Sequence, residues 1–498
     1  MKSAAAILDE LRQQGVVPSG LCADTRSLAA GEVFVALPGA RSDGRAHIAQ
    51  AVARGAAAVL WEREGAAPPA FKPALPNIGV SGLAAIAGEL ARLVYNAPAE
   101  ALWMIGVTGT NGKTSVSQWI AQALTGSGKP CAVIGTLGSG YPGALLASPN
   151  TTPDAISLQR HLAGFRASGA VACAMEVSSI GLAEQRVAEI AFDVAVFTNL
   201  SRDHLDYHGT MEAYAQAKQV LFAMPGLTCA VLNLDDPLGR EIGRVLAASG
   251  VRRIGYSLGQ GADATESADE ILLCEDLRLG AEGMGFRVRH GADSATVAAP
   301  LLGRFNAANL LAVLGALLAS AVPLQVAAVQ LSQLSAPAGR MQRVPGAAGQ
   351  PLLVIDYAHS PDALLQALTT LRELAQARGG KLHCLFGCGG ERDAGKRPLM
   401  AAVAERLADR VIVTNDNPRR EEPAAIIADI LGGMSSRPLV EPDRARAIAL
   451  AVAAADPCDV VLIAGKGHEN YQEIAAARLP FSDFACAQAA LAGRSPSP

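Results

Sequence analysis

Aromatic side chains are scarce in this chain: Phe, Trp and Tyr together make up 4% of its 498 residues, although half of all residues are hydrophobic. With alanine and glycine carrying much of the apolar content, the composition suits a soluble α/β protein whose helices and sheets approach closely. Basic runs are missing as well. The formal net charge is −4 and no Lys/Arg block stands out, which excludes a general pull toward nucleic acid or an acidic membrane. Any anion must therefore be bound locally. The nine cysteines include no C-x-x-C pair, and Cys384 and Cys388 stand too isolated for a zinc site. Reduced thiols in a cytoplasmic protein are expected. Long hydrophobic runs are absent too: the longest, Leu310 to Val322, is too short to span a bilayer, stops at Pro323 and reads as a buried helix. Asp9, Glu10 and Arg12 exclude a signal peptide at the start. No internal repeat is evident.

What the chain does have is a loop made for phosphate. Residues 102–107 read as an apolar strand, Gly109 and Gly112 punctuate a loop, and Lys113-Thr114-Ser115 opens a helix marked by Val116, Ile120 and Leu124. Such a loop turns successive N–H groups toward one point at the positive end of a helix dipole. Lys113 would reach the terminal phosphates and the Thr114 hydroxyl would ligate magnesium. Val107 stands where the usual P-loop has its first glycine. A nucleoside triphosphate is the expected ligand.

At this length about three domains are expected. Asn96 to Glu100 and a Pro/Gly/Ala-rich stretch from Ser335 to Pro351 suggest boundaries, giving segments 1–98, 99–335 and 336–498. The first has strands at 33–37 and 57–60 and a helix near 47–54. The second alternates strands at 102–107, 131–134, 171–176, 194–198 and 230–233 with helices, which argues for a mostly parallel sheet. Residues 247–300 are less periodic. The last segment has strands at 352–355, 381–386, 411–414 and 460–463. Each of these runs into a polar or glycine-rich loop: Asp356 to His359, Gly387 to Asp393, Asn415 to Arg419, and Gly465 to Glu469. Open α/β sheets bind ligands beyond the carboxyl ends of their strands, so four such loops together favour a site. Glu176 and the loop Asn199 to His204 end strands of the middle segment in the same way. Taken singly, Glu176 reads equally well as a capping acid and His204 as a core histidine. A shared edge with Lys113 and Thr114 favours metal binding.

These motifs, in this order, resemble the Mur ligases of bacterial cell-wall synthesis. Thr108 to Thr114 is that family's variant of the P-loop, which accounts for Val107. Asn150 to Pro153, Glu176 to Ser179, Asn199 to Gly209, Gly303 to Asn306, Gly339 to Met341, Asp356 to His359 and Gly465 to Glu469 match further family motifs. The resemblance implies three α/β domains: a smaller N-terminal one for a UDP-sugar, a central P-loop ATPase with a mostly parallel sheet, and a C-terminal Rossmann-like domain that binds an amino acid. It implies ATP as co-substrate and Mg2+ as cofactor. Gly109, Thr110, Asn111, Gly112, Lys113, Thr114 and Ser115, with Asn306, Arg340 and Asp356, would hold ATP. Thr25, in Asp24-Thr25-Arg26, would hold the uridine nucleotide. Asn150, Thr151, Thr152, Ser178, Glu184 and Arg186 would contact a UDP-MurNAc-dipeptide. Thr114, Glu176, His204 and Lys218, the last as a carbamate, would be magnesium ligands; with Lys113, the latter three form the expected catalytic set. Without the resemblance Lys218 reads as an ordinary exposed helix lysine.

The likeness is greatest to ligases that add the third residue of the peptide stem. In Asp416-Asn417-Pro418-Arg419 the arginine offers a fork for a carboxylate, which meso-diaminopimelate carries at its far end and L-lysine does not. Arg392 would give a second carboxylate contact, Gly465 would line the subsite and Glu469 would pair the distal ammonium. As bare text, Asn-Pro-Arg is equally an ordinary turn. The expected reaction activates the D-glutamate carboxylate as an acyl phosphate, which the diaminopimelate amine then attacks; His359 is the candidate base. Three departures from the family pattern bear on the peptide contacts or the glycine loop: Ile180, Glu184-Gln185 and Glu391. The alternatives are a lysine-adding ligase, a folylpolyglutamate-synthetase relative and, from another class, a nucleotide-dependent switch. A cytoplasmic monomer that works on small molecules, with no nucleic-acid partner and no membrane insertion, is expected.

Overall fold

The computed structural model describes residues 2–39, 42–65, 75–148, 150–259, 264–280, 282–347, 349–475 and 477–494. The chain folds into two compact units that cut across the three sequence segments. The first comprises Met1–Thr108, Gly128–Ala195 and Ala217–Thr228; the second comprises Gly109–Ser127, Val196–Gln216 and Cys229–Pro498. The phosphate loop thus groups with the C-terminal segment.

In the first unit, Leu21–Cys22, Val33–Ala36, Ala58–Glu62 and Asn77–Val80 lie side by side in chain order, all parallel. Strand alternation fills both faces. Val33 and Val35 pack with Ile7, Leu11, Leu83 and Leu90, whereas Phe34 and Ala36 meet Ile48 and Ala51. Trp103–Thr108 pairs in parallel with Ala172–Glu176, which in turn pairs in parallel with Cys131–Gly135. An antiparallel hairpin, Gly138–Tyr141 with Ala144–Leu146, extends the edge. Glu176 is the last residue of its strand, as its position after an apolar run requires.

In the second unit, Cys229–Asn233, Arg252–Ser257 and Glu270–Gly280 run parallel before Gly283–His290 and Asp293–Ala299 fold back as an antiparallel meander. These last four strands occupy the stretch that had little periodicity in the sequence. Helix Arg304–Ala319 carries the longest apolar run and is buried from Asn306 to Leu317 with one gap at Ala308, matching the expected buried helix. Among the described residues no helix is long and apolar enough to cross a membrane.

The C-terminal sheet has the order Gln342–Arg343, Leu352–Asp356, Val460–Ala464, Leu382–Phe386, Arg410–Val413 and Leu439–Val440; only its first pair is antiparallel. Val354, Phe386 and Leu462 pack with Leu364, Leu368 and Met400, while Leu353, Leu385 and Ile463 pack with Ile448 and Val452. Both faces are covered, as in a doubly wound sheet. Because Val460–Ala464 inserts between Leu352–Asp356 and Leu382–Phe386, the loops after these strands share one edge. Cys384 and Cys388 are buried and unpaired, and burial pushes both thiols up to about 12, which suits inert core residues rather than metal ligands.

One ion pair holds that edge from beneath. Arg444 and Asp483 are both fully buried; Nε and Nη2 of the arginine donate to the two carboxylate oxygens at 2.7 and 2.8 Å. Nη2 also donates to the Ala464 carbonyl at 2.9 Å and Nη1 to that of Asn415 at 3.3 Å, at the points where two of the loops leave their strands. Removing one member strands a buried charge, so Asp483→Ala is expected to lower unfolding free energy by about 3–5 kcal/mol. Urea unfolding of the variant checks this.

Candidate nucleotide and substrate sites

Gly112 is the residue before helix Lys113–Gly126 and sits at φ 86°, a left-handed conformation that glycine adopts at little cost. A Cβ there would lie 2.5 Å from Asn309 Oδ1. Gly112→Ala therefore meets both a backbone cost of about 1–2 kcal/mol and a clash, and at least tenfold weaker ATP binding is expected by calorimetry. The loop is braced by the segment after Val194–Phe197. Thr110 N donates to Asn199 O at 2.8 Å, Asn111 N to Asn199 Oδ1 at 2.9 Å, and Ser201 N to Thr110 Oγ1 at 2.9 Å. Lys113 Nζ donates to the loop's own carbonyls, Gly109 O at 2.8 Å and Thr110 O at 2.9 Å. The ammonium is thereby held across the mouth of the loop.

Arg340 closes on the same place. Its Nη2 donates to Thr114 Oγ1 at 2.9 Å, and its guanidinium carbon lies 4.6 Å from the centre of the Tyr357 ring. Among the described residues its buried Nε has no hydrogen-bond partner, a donor suited to an anion. Asp356 Oδ2 accepts from Met341 N at 2.7 Å; burial raises this carboxyl to about 6 against the opposing charge of Arg340. Asn306 accepts from Asn309 Nδ2 at 2.9 Å, and it is Asn309 that lies against Gly112 of the loop. Asn309 was not foreseen, although a second asparagine one turn after Asn306 in an apolar helix is a visible signal.

His204 follows the loop at φ 53°, with Asp203 accepting from its backbone N–H at 2.9 Å. Asp203 Oδ2 lies 3.8 Å from His204 Nε2 and 4.0 Å from His359 Nε2. Burial pushes the Asp203 carboxyl up, but His359, His204 and Lys396 together hold it below its ordinary value. His359 Nδ1 lies 2.7 Å from Tyr357 O, a hydrogen bond that a ring N–H must donate. Burial first, then the charge of Lys396, lowers His359 to about 4.

The loops 387–393, 415–419 and 465–469 form a second cluster in this unit. Arg419, at φ 53°, donates from N to Glu473 O at 3.0 Å and from Nη1 to Gly390 O at 2.6 Å. Arg392 is exposed, and its side chain lies with that of Arg419 around Gly389. Glu469 Oε2 accepts from Asn417 Nδ2 at 2.7 Å and from Lys466 Nζ at 2.9 Å. Asp416 Oδ2 would lie 2.6 Å from a Cβ at Gly465, whose φ is 112°. Pro418 accordingly sits in a tightly fixed turn, with Gly390 packed on its carbonyl.

The remaining expected contacts fall in the first unit. Glu176 is buried; Oε1 accepts from Thr136 N at 2.8 Å and Oε2 from Thr136 Oγ1 at 3.1 Å. Gly135 must lack a side chain, since a Cβ would lie 2.1 Å from Oε1. Thr136 Oγ1 also lies 3.0 Å from Thr151 Oγ1. Thr152 Oγ1 donates to Glu176 O, and it accepts from Ser178 N at 3.0 Å. Arg186 Nη1 donates to Thr152 O at 2.7 Å, while its Nε and Nη2 both donate to Glu184 Oε2. Glu184, a departure from the family pattern, thus orients Arg186. Asn150 is exposed beside this group, its carbonyl accepting from Ser148 Oγ at 2.8 Å. Thr25 is buried and donates to Gln50 Oε1 at 2.8 Å. Lys218, on helix Met211–Gln219, is 1% exposed, which overturns its reading as an exposed surface lysine. Among the described residues, no three His, Cys, Asp or Glu side chains gather as a metal site.

Comparison with known proteins matches this arrangement domain by domain. Residues 18–95 match the Mur ligase family, catalytic domain; 107–317 the Mur ligase middle domain; and 339–467 the Mur ligase, glutamate ligase domain. A UDP-N-acetylmuramoyl-L-alanyl-D-glutamate--2,6-diaminopimelate ligase of Pseudomonas aeruginosa is 54% identical over 95% of this chain and 94% of its own length. The protein of the same name in Ectopseudomonas mendocina is 52% identical over 96% of each. A solved structure of a ligase of that name superposes with a TM-score of 0.64 at 37% identity, covering 95% of both chains. A chain that matches the three domains in their order, and half-identical relatives almost from end to end, belongs to the Mur ligase family.

Proposed function

We propose that this protein is the ATP-dependent ligase that joins meso-2,6-diaminopimelate to UDP-N-acetylmuramoyl-L-alanyl-D-glutamate, releasing ADP and phosphate. The single observation that carries the reading is identity of about half over nearly the whole chain to ligases of that name. The domains we assign are 1–98 for the UDP-sugar, 99–335 for ATP and 336–498 for the amino acid.

The chemistry brings an anionic carboxylate to an anionic phosphate, so charge neutralisation and positioning are the central tasks. Lys113 and Arg340 supply fixed positive charge at the phosphate loop. The D-glutamate carboxylate takes the γ-phosphoryl group; the diaminopimelate amine then attacks the acyl carbon and the C–O bond to phosphate breaks. Thr151, Thr152, Ser178 and Arg186 are assigned to the dipeptide, with Glu184 orienting Arg186. Asn306 is assigned to the nucleotide through Asn309, and Asp356 through its hold on the Arg340 turn.

Magnesium fits the donors available. A hydroxyl at Thr114, a carboxylate at Glu176 and an imidazole at His204 are donors of the kind a hard cation takes. Lys218 would join them as a carbamate, whose oxygens replace a cation that is costly to bury. The ion would supply neutralising charge to the transferring phosphoryl group.

Arg419 selects the substrate. Its fork, oriented by Gly390 and Glu473, suits the distal carboxylate of diaminopimelate and repels the lone distal ammonium of lysine. The test is product formation with diaminopimelate, L-lysine or no amino acid, followed as phosphate release and product mass. Release that requires diaminopimelate and yields the tripeptide is expected. Release that requires lysine, or no amino acid at all, would overturn the reading.

A further inference from the structure

One residue of the C-terminal cluster has no part in the assignments above. Lys466 is 0% exposed, a burial that a lysine tolerates only when its charge is met. Its Nζ donates to Asn417 Oδ1 and to Glu469 Oε2, both at 2.9 Å, and lies 5.5 Å from the centre of the Tyr471 ring. Asn417 Nδ2 also donates to Glu469 Oε2, closing a triangle. The triangle extends further. Asn417 Oδ1 accepts from Glu473 N at 2.9 Å, and Glu473 O accepts from the backbone N–H of Arg419. One buried ammonium therefore stands behind both groups assigned to the two ends of the distal zwitterion, Arg419 and Glu469.

We propose that Lys466 is the positioning residue of the amino-acid subsite and helps it reject L-lysine; this rests on the diaminopimelate-adding function above. Its pairing neutralises Glu469 while fixing where that carboxylate sits. Both bonds fall on Oε2, and among the described residues none falls on Oε1, the oxygen available to an incoming ammonium. A distal end that brings only an ammonium meets a carboxylate already neutralised. A distal zwitterion adds a carboxylate for the Arg419 fork and gains regardless. Without the Lys466 charge, Glu469 becomes an uncompensated anion that attracts any distal ammonium, and Asn417 and Arg419 lose a common anchor.

Lys466→Gln keeps a hydrogen-bond donor and removes the charge; Lys466→Met keeps the apolar stem alone. Both are compared with the unaltered full chain for kcat and KM with each amino acid, KM for ATP and for the dipeptide substrate, and thermal midpoint. The expected result is a diaminopimelate KM raised about tenfold or more and a diaminopimelate-to-lysine ratio of kcat/KM lowered by a similar factor, with both other KM values within about twofold. An unchanged ratio in a variant that still binds ATP would overturn the proposal, and so would a parallel rise in all three KM values with a falling midpoint. Failure of the underlying function is distinct, because the unaltered chain would then release phosphate without diaminopimelate.

Discussion

Replacing Lys113 with alanine is expected to lower the rate of ligation by about a thousandfold at saturating substrates, the scale seen when one charge-stabilising donor leaves a preorganised site. The side chain spans the loop from which it grows, donating to Gly109 O and Thr110 O. A γ-phosphate would replace those two carbonyls as its partner, so the ammonium need only pivot. Nothing else in the loop carries a full charge, and the oxygens of the transferring group gain negative character as it moves. The fold should survive, because the loop is braced independently by Asn199, Ser201 and Thr198, the last donating to Asn111 O at 2.6 Å. Quenched-flow or steady-state phosphate release, beside a thermal melt, separates the two effects. A loss below about tenfold with an unchanged melt would show that Lys113 does not act on the transferring phosphoryl group.

The second large effect is at Arg419. Truncation to alanine is expected to cost about 3–4 kcal/mol in kcat/KM for diaminopimelate, or roughly 10²- to 10³-fold, since it leaves a substrate carboxylate unmet in a partly buried loop. KM for ATP should move little. Arg419→Lys keeps the charge but not the planar fork, and should recover no more than about tenfold of the loss. The backbone argues that the fork is pre-aimed. Arg419 holds φ at 53°, and its N–H and Nη1 are both engaged by neighbouring loops, at Glu473 and Gly390. Such strain in a non-glycine residue is kept where position matters. Equal losses for ATP and diaminopimelate would instead make Arg419 part of the scaffold.

The phosphate loop was legible because its chemistry is packed into consecutive residues: two glycines with left-handed torsions, then a lysine and a threonine at a helix start. The strands flanking it were legible as well, since buried parallel strands read as continuous apolar runs. Sequence reading reached less far where partners come from distant segments. Lys218 lies on the apolar side of its helix, four residues after Tyr214, but a lone lysine at such a position reads equally well as a surface residue. Arg444 looks like any charged residue after an N-cap aspartate, yet it pairs with Asp483 39 positions later in the core. Asp203 has one of its neighbours, His359, arrive from another loop.

The meander at 270–299 is a different case. Met284, Phe286 and Val288, then Ala295, Val297 and Ala299, are buried in strict alternation. Arginines and glycines between them dilute that signal to the eye. The hairpin Tyr471–Ile474 with Ala477–Pro480 has no buried face, and its strands are half-buried to exposed. It is held through Glu473, whose backbone ties Arg419 and Asn417 together.

The most direct measurement follows the oxygen atoms. The UDP-MurNAc-dipeptide is prepared with its D-glutamate carboxylate labelled with oxygen-18 and is turned over with ATP and diaminopimelate. The phosphate is then isolated for mass analysis. If the carboxylate takes the γ-phosphoryl group and the amine displaces it, each phosphate released carries one labelled oxygen, and the new amide keeps the other. Unlabelled phosphate alongside tripeptide would mean that ATP is hydrolysed by water and the carboxylate is never phosphorylated, which contradicts the account of this protein as an acyl-phosphate ligase.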